Sequence, residues 1–484
     1  MQLGKKKIIG IVTGIVLGLL VALGAPAAFP DAGLTAQGFQ CLGILVWAIS
    51  WWVADVLPEY VTGIVMVILF CVVAGVSTST SFAAFCTSTW WLLVAAFSLG
   101  AGMKACGLMR RMALAILRVF PDSFAARVGA LMAVGTVLGP LIPSLAAKTS
   151  MLTPIAMSMG DVAGYERKGK QMQGLFLAML AGVRNIAPAV ISASVIGYAL
   201  WGLFPADIQA QFDMVHWFLA ALPWFVVVTV LNFVAIVGLY GARKSASRDD
   251  SAACRQEKSE AMEAPASGLD EEKTPMSLHE KEMLVIMLTT VALWVTEPLH
   301  GIASHVVALG AMAVMLACGV MGKPEFRKDI AWDSLIFIGT AIGLSSVFAE
   351  VGIQDWIVTT CGPVFQALAA NPYLFVLGIG VMTVLLRFVI VSEMAYINIV
   401  MVFMIPLALS CNINPWVVGM AVYALVNPWF VLYQNPVYLA AYYSVDGQMA
   451  NHGDLARYCL LYVVICLAGL VVSVPYWQML GFFG

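Results

Sequence analysis

Long uninterrupted apolar runs recur along the whole chain, and they constrain its fold more than any other feature. A helix of about 20 apolar residues crosses the hydrocarbon core of a bilayer. Eleven runs approach or exceed that length, and they cover 8–24, 38–57, 60–76, 89–106, 172–203, 214–239, 282–298, 302–320, 332–352, 413–441 and 456–480. With 61% hydrophobic and 11% charged residues, the chain is predicted to be an all-α polytopic membrane protein rather than a set of soluble domains.

Two further apolar regions, 127–160 and 372–411, are interrupted near their centres by proline and polar residues. Each is typical of a re-entrant hairpin that enters and leaves on the same side of the membrane. Non-helical backbone at that depth is tolerated only where protein or a water-filled cavity surrounds it. The segments 109–125 and 354–368, which precede the hairpins, are predicted to be interfacial amphipathic helices.

An internal repeat divides the chain. Residues 52–76 parallel 294–320, and 98–108 parallel 343–353. We predict an N-terminal transmembrane helix, a first repeat, a cytoplasmic linker and a second repeat, with bounds 1–37, 38–240, 241–281 and 282–484. Because each repeat holds five spans, the halves would insert in opposite orientations. About eleven spans, two hairpins and inverted repeats are typical of secondary transporters.

The positions of Lys and Arg orient the chain. With the N-terminus in the cytoplasm, every loop Lys and Arg falls on the cytoplasmic side, as the positive-inside rule requires. Only Lys148, Arg184 and Arg387, three of the 25, lie within the membrane. We therefore expect a multi-pass protein of the cell (inner) membrane with an extracytoplasmic C-terminus. The first run is read as a retained helix whose glycines at 10, 14 and 18 form a packing stripe.

The three intramembrane cations converge near the middle of the bilayer when helical rise is used to estimate depth. Charges at that depth are costly and mark functional sites. With Glu393 the cluster holds three positive charges and one negative charge, which an anionic substrate would balance. Structural alternatives remain open: Arg184 could bond carbonyls freed by Pro188, Arg387 could pair with Glu393, and Lys148 could reach the cytoplasmic surface.

Several stretches resemble one family of transporters. They are "VWAISWWVADVLP" (46–58), "LWVTEPLHG" (293–301) and the Trp-Asp of "IAWDSLIFIGTAIGL" (330–344). Together with the repeats and hairpins, they resemble the divalent anion/sodium symporter (DASS) family. The resemblance extends from about residue 38 to the end of the chain, and the family carries a Ser-Asn-Thr motif at each hairpin tip.

The hairpin tips depart from this motif. In "PSLAAK" (143–148) the Asn and Thr positions hold Leu145 and Ala146, and a lysine follows. In the second tip the motif falls either on 392–394, Ser-Glu-Met, or one helical turn later on 396–398. An offset of 245 residues between the repeats would match Lys148 to Glu393, and we expect these two to interact across a shared cavity in the empty carrier. Loss of both asparagines places sodium coupling in doubt.

The resemblance implies a secondary active transporter of small organic or inorganic anions, of the di- or tricarboxylate, sulfonate or sulfate class. It would work by alternating access, through exchange or proton coupling, as a homodimer in the lipid bilayer. Its hydroxyl groups would donate hydrogen bonds and its cations would neutralise charge. The expected substrate-binding residues are Ser144, Lys148, Thr149, Ser150, Arg184, Asn185, Arg387, Ser392, Glu393 and Asn435.

Other transport modes and an enzymatic function are alternatives to this hypothesis. A sodium-coupled anion symporter stays open, as does a cation/proton antiporter or metalloid extruder of the same superfamily, although an antiporter would be expected to have an acidic centre. An intramembrane enzyme is disfavoured because H-E-x-x-H, G-x-S-x-G and G-x-x-x-x-G-K-[ST] are all missing from the sequence. We expect no metal site, no cofactor other than a coupling sodium ion, and no nucleic-acid partner.

The predicted topology can be tested through Cys254 in the linker. Because the linker is expected to be cytoplasmic, a membrane-impermeant maleimide added to intact cells should leave Cys254 unmodified and should label it after permeabilisation. Labelling of Cys254 in intact cells would contradict the topology.

Overall fold

The computed structural model describes residues 5–28, 33–241 and 275–484. Helices make up 79% of the structure. Within the described ranges there is no strand, and only an isolated bridge joins Ile413 to Phe483. The predicted all-α class is thereby confirmed. Most of the predicted linker, residues 242–274, lies outside the described residues.

The described residues form nineteen α-helices of eight residues or more, joined by short helical turns and loops. In chain order they are α1 (Lys5–Leu19), α2 (Ala36–Ala54), α3 (Glu59–Val72), α4 (Ser88–Ala105), α5 (Leu108–Leu117), α6 (Phe124–Leu138), α7 (Leu145–Val162), α8 (Lys170–Ala189), α9 (Val195–Leu203), α10 (Met214–Tyr240), α11 (Leu278–Val295), α12 (Ser304–Ala317), α13 (Trp332–Glu350), α14 (Ile353–Ala369), α15 (Pro372–Leu386), α16 (Glu393–Ser410), α17 (Pro415–Leu425), α18 (Pro436–Tyr443) and α19 (His452–Met479).

A helix lies in each of the eleven predicted spans, although not all of these helices are long and apolar enough by themselves to cross a membrane. In the described part of the chain, six helices are long and apolar enough to cross a membrane, and the bent pairs α4–α5 and α14–α15 raise that number to eight. Shorter apolar helices, α3, α6, α12 and α17, occupy further predicted segments. The two predicted interfacial segments are the helices α5 and α14. α5 turns by 71° from α4, and α14 meets the hairpin helix α15 at 119°.

Two predicted spans are broken rather than continuous. Residues 172–203 form α8 and α9, which a 3₁₀ turn separates, and 413–441 form α17 and most of α18. α8 ends one residue after Pro188, and α17 ends three residues before Pro428. Proline removes a backbone donor and crowds the preceding turn, so a helix bends or ends there. The breaks place four helix ends inside the protein.

Both predicted hairpins are present. The first consists of α6 and α7, and the second of α15 and α16, with Ser144 and Ser392 as the N-caps of the returning helices. The equivalent caps support placing the second motif at 392–394. They also correct the repeat offset at the tips to 248 residues, which matches Glu393 to Leu145 and Tyr396 to Lys148.

The glycine stripe of α1 packs directly against α2. A Cβ atom at Gly10 would lie 2.2 Å from the Ala54 Cβ, and one at Gly14 would lie 2.7 Å from the Trp51 ring. A Cβ atom at Gly18 would lie 2.9 Å from the Gly43 carbonyl oxygen. Small residues allow two helices to approach closely in a membrane. The predicted packing role of this stripe is therefore confirmed.

The two halves correspond helix for helix, α2–α10 to α11–α19, and their packing is reciprocal. The returning hairpin helix α7 packs against α18 of the other half, and α16 packs against α9. Likewise α4 packs against α12, and α13 packs against α3. Two related halves would produce this pattern. Their division into inverted repeats at the stated bounds stays a prediction.

The first hairpin is held to the broken helix α8 by close backbone contact. A Cβ atom at Gly135 of α6 would lie 2.3 Å from the Gly182 carbonyl carbon, and one at Gly182 of α8 would lie 2.7 Å from the Met132 Cα. These neighbours are backbone atoms, so a side chain could be accommodated only by separating the helices. Because the carbonyl oxygens and Cα atoms approach so closely, the contact is stabilised by van der Waals packing.

We expect Gly182→Ala to lower the melting temperature by several degrees, because the added methyl group forces α6 away from α8. Gly238→Ala is the matched control, since a Cβ atom at Gly238 of α10 meets nothing within 4 Å. Thermal unfolding in detergent, followed by tryptophan fluorescence, compares the two variants. Equal melting temperatures would mean that the close contact does not hold the hairpin.

Candidate anion-binding site

The two hairpin tips meet at one cavity of about 580 Å³. Residues 144–146 line it from the first hairpin, and 392–394 line it from the second. The two broken spans contribute 194–196 and 436–437. Each of these four segments is the beginning of a helix, namely α7, α16, α9 and α18. Four helix N-termini therefore converge on one cavity.

A polar side chain caps each of these helices, and in the two hairpin tips the cap leaves other backbone donors available. The Ala147 N–H donates to the Ser144 Oγ at 3.2 Å, and the Ala395 N–H donates to the Ser392 Oγ at 3.1 Å. The first N–H groups of a helix have no intrahelical acceptor. The cap serines bind only the third such group, so the two before it in each tip can donate to a ligand.

The caps of the broken spans are Ser194 and Asn435. The Ile196 N–H donates to the Ser194 Oγ at 3.1 Å, and the Tyr438 N–H donates to the Asn435 Oδ1 at 2.9 Å. Each helix N-terminus carries a partial positive charge of roughly +0.5. Four of them around one cavity make a site that favours anions.

A buried ion pair joins the two halves beside this cavity. The Arg184 Nη2 donates to the Glu393 Oε1 at 3.0 Å, and Nη1 donates to Oε2 at 3.3 Å. The same guanidinium donates to the side-chain oxygens of Asn427 and Asn435. Arg184 is 1% exposed and Glu393 is 5% exposed. Two nearly parallel bonds and two amide acceptors fix Arg184 in place.

Arg387 bonds backbone carbonyls, and its role in substrate binding stays a prediction. Its Nε donates to the Val426 carbonyl at 3.1 Å and its Nη2 to the Gln434 carbonyl at 2.5 Å, while its Nη1 donates to the carbonyls of Ile390 and Val391. The alternative in which Arg387 pairs with Glu393 is not what the structure has, because Arg184 bonds that carboxylate. Arg387 instead satisfies carbonyls released by the helix breaks.

Lys148 also bonds backbone. It is fully buried on the first turn of α7, and its Nζ donates to the Ala193 carbonyl at 2.8 Å, immediately before α9 begins. The expected direct interaction with Glu393 is wrong. Glu393 is held by Arg184, and the cap equivalence places Lys148 one turn further along its helix. Lys148 thus ties the first hairpin to the break between α8 and α9.

The remaining predicted residues lie at or behind the cavity. Ser144, Ser392 and Glu393 line it, and Asn435 lies behind it in contact with Arg184. Thr149 and Ser150 donate to carbonyls of their own helix, at 3.1 Å and 2.7 Å respectively. The Asn185 amide is buried and has no hydrogen-bond partner among the described residues. The roles of all these residues in binding stay predictions.

The side chains that line the cavity are more acidic than the sequence indicated. Asp55 and Glu59, from the turn between α2 and α3, form a wall together with Glu393, whereas the three buried cations lie behind the lining. Both acids were missed, as was Ser194. The signal for Ser194 was a capping residue six positions after Pro188. For the acids, the sequence Asp-Val-Leu-Pro-Glu marked a tight turn but not its place beside the hairpins.

In this arrangement a substrate anion and the Glu393 carboxylate would compete for the same cation, Arg184. A substrate anion can bind the helix N-termini directly, but it can approach Arg184 only where Glu393 now lies. Glu393 is a fixed competitor for the same cation, and it borders the cavity. Among the described residues there is no group of three or more His, Cys, Asp or Glu side chains placed to hold a metal ion.

Comparison with known proteins gives one family over nearly the whole chain. The model of the sodium:sulfate symporter transmembrane region matches residues 5–483. Dicarboxylate transporter 2, chloroplastic, from Spinacia oleracea is 25% identical over 360 residues, which cover 72% of this chain and 61% of that protein. The sodium-dependent dicarboxylate transporter SdcS of Staphylococcus saprophyticus is 22% identical over 439 residues, or 84% of this chain and 80% of that protein.

The fold is also similar to a solved structure. The crystal structure of the Alcanivorax borkumensis YdaH transporter, described as having an unusual topology, superposes with a TM-score of 0.56. The match covers 84% of this chain and 88% of that chain at 17% identity, so it supports the fold alone.

The ion pair predicts a specific pattern of rescue. Arg184→Gln should strongly destabilise the protein, by about 3–5 kcal/mol, because it leaves the Glu393 carboxylate buried without a counter-charge. Adding Glu393→Gln should restore much of that loss, since no charge then remains unpaired. Melting temperatures of the two single variants and the double variant measure the coupling.

Arg387→Gln is the matched control, since Arg387 is equally buried but bonds backbone carbonyls. Glu393→Gln should not rescue it. Equal rescue of Arg184→Gln and Arg387→Gln, or rescue of neither, would contradict a dedicated pair.

Proposed function

The chain belongs to the sodium:sulfate symporter family, which confirms the resemblance to DASS transporters, and from this premise we propose that it carries small dianions of the dicarboxylate class. Anion transport is the property common to that family, and several relatives are named as dicarboxylate transporters. We propose secondary active transport by alternating access in the inner membrane, with a homodimer as the working unit.

The convergence of four helix N-termini on one cavity carries this proposal. A dicarboxylate has two anionic ends, and the cavity has two pairs of N-termini, one from each half. Helices α7 and α9 belong to the first half of the chain, and α16 and α18 belong to the second. Each carboxylate would accept hydrogen bonds from backbone N–H groups and cap serines, without requiring a free cationic side chain.

Coupling to protons follows from the pairing of Arg184 with Glu393. While Glu393 is ionised, it cancels the charge of Arg184 and repels an incoming dianion. Protonation of Glu393 would leave Arg184 uncompensated and would favour the dianion. Proton and substrate would then bind cooperatively, since coupling between two sites is reciprocal. The charges at this site thus favour proton symport, with exchange against an internal anion as the other mode.

Sodium coupling is disfavoured by the hairpin tips. Leu145 and Ala146 replace the polar pair of the first tip, and Glu393 of the second is engaged by Arg184. A sodium-coupled symporter is nevertheless the second candidate, because the carboxylates of Asp55 and Glu59 line the cavity and oxygen atoms are the ligands that hard cations prefer. The same transport experiment separates the two.

We expect uptake of labelled dicarboxylate into proteoliposomes to persist when sodium is replaced by choline and to increase as the external pH falls. Succinate, malate, citrate and sulfate form the panel, tested with and without an internal counter-anion. Removing one unit charge about 6–8 Å from the substrate is worth ~2–3 kcal/mol at an effective dielectric constant of about 20. Protonation of Glu393 should therefore raise affinity by roughly 30- to 100-fold.

Glu393→Gln should bind the dianion tightly at all pH values and lose the pH dependence. Asp55→Asn, which removes an exposed carboxylate from the same cavity without touching Arg184, should keep the pH dependence. Loss of uptake in choline at constant potential and pH would favour the sodium-coupled candidate. An unchanged pH dependence in Glu393→Gln would remove Glu393 from the coupling step.

A further inference from the structure

The two broken spans have the same local structure at the point where the chain re-enters a helix. In each, a three-residue 3₁₀ turn ends directly before the cap residue of the second helix, at Ala193 before Ser194 and at Gln434 before Asn435. Among the described residues, no backbone hydrogen bond of a turn, loop or cap uses the carbonyl of Ala193 or Gln434. We call these two groups the break carbonyls, and they depend on side chains for a partner.

A buried cation from the hairpin of the same half bonds each break carbonyl. The Lys148 Nζ donates to the Ala193 carbonyl at 2.8 Å, and the Arg387 Nη2 donates to the Gln434 carbonyl at 2.5 Å. Both cations are 0% exposed, and neither belongs to an ion pair in the described part of the chain. The two halves therefore share one arrangement, although the two cations lie at different positions of their hairpins.

The break carbonyls do not fit the sodium ion that the family name implies. In secondary transporters, carbonyls freed by broken membrane helices are ligands for a mobile coupling cation. Here an ammonium and a guanidinium from the protein itself already bond them. A sodium ion beside either group would be repelled by a fixed charge at short range.

From this arrangement we propose that Lys148 and Arg387 are tethered cations, which permanently supply the positive charge that a bound sodium ion would otherwise contribute to dianion binding. This inference rests on the proposed function. Ser194 lines the substrate cavity, and Asn435 caps the helix whose first residues line it. The tethered cations therefore lie one residue behind the lining, where they act on a bound dianion through their charge.

Calorimetric titration of the full chain with succinate tests the inference. The affinity of the parent protein should be the same in sodium chloride and in choline chloride at equal ionic strength and pH. Lys148→Met keeps most of the side-chain volume and removes the charge. A unit charge about 8–12 Å from the substrate changes affinity roughly 10- to 30-fold at an effective dielectric constant of about 20, so we expect a loss of that size.

Lys104→Met is the matched control, since it removes an exposed lysine at the end of α4 that is 3.2 Å from Asp329. It should bind succinate like the parent protein. A rescue experiment then separates charge from packing. Lys148→Ala leaves the Ala193 carbonyl free, and added propylammonium or sodium should restore succinate affinity, whereas propanol, which fills the space without a charge, should not.

Three results would overturn the tethered cations. Sodium that strengthens succinate binding to the parent protein would show that a mobile cation still has a site. Equal affinity of the parent protein and Lys148→Met would make Lys148 a structural tie. Restoration of Lys148→Ala by neither cation, or by propanol as well, would remove the need for charge.

The sodium comparison uses the parent protein alone, so it is decisive even where a Lys148 variant fails to fold. Absence of binding by every dicarboxylate of the panel would overturn the proposed function, and the tethered cations with it. Succinate binding that is strengthened by sodium, or that is unchanged in Lys148→Met, would overturn the tethered cations and leave dianion transport standing.

Discussion

The need to satisfy backbone polar groups inside a membrane governs this structure. In hydrocarbon, an unpaired N–H or C=O group is costly, so helices can be interrupted only where other groups replace the missing bonds. Here the helical structure is interrupted at two hairpin tips and in two broken spans. Arg387 donates to four of the carbonyls released in this way, and Lys148 donates to one. The lysine in an apolar stretch is thus explained by the carbonyl it reaches across the fold.

The breaks also give the substrate cavity its polarity. Each interruption leaves unpaired carbonyl groups at the C-terminal end of one helix and unpaired N–H groups at the N-terminal end of the next. Buried cations bind carbonyls behind the cavity, while the N–H ends of α7, α9, α16 and α18 border it. An anion site can therefore form without an exposed cation among the described lining residues. Among the described residues, Arg184 is the one buried cation whose counter-charge, Glu393, itself lines the cavity, and the proposed proton coupling rests on this pair.

The sequence allowed the architecture to be predicted because its signals are local. Apolar length, the break residues and the placement of Lys and Arg each depend on a short window, and the hairpins and the buried cations were identified from them. Pairing depends on register, and there the prediction failed. A repeat offset of 245 residues matched Lys148 to Glu393, whereas the serine caps give 248, and a shift of three residues changes which side chains meet. Ser194, Asp55 and Glu59 were missed because tertiary packing alone brings them to the hairpin tips.

The reciprocal packing of the halves has a consequence for biosynthesis. Arg184 and Glu393 are 209 residues apart, and α7 packs against α18, which is made later still. At about 5–20 residues per second, roughly 10–40 s pass between synthesis of the arginine and of its carboxylate. Throughout that interval the first half has an arginine without its counter-charge and a hairpin without its partner helix. The first half can therefore reach its final packing only after most of the second half has been synthesised.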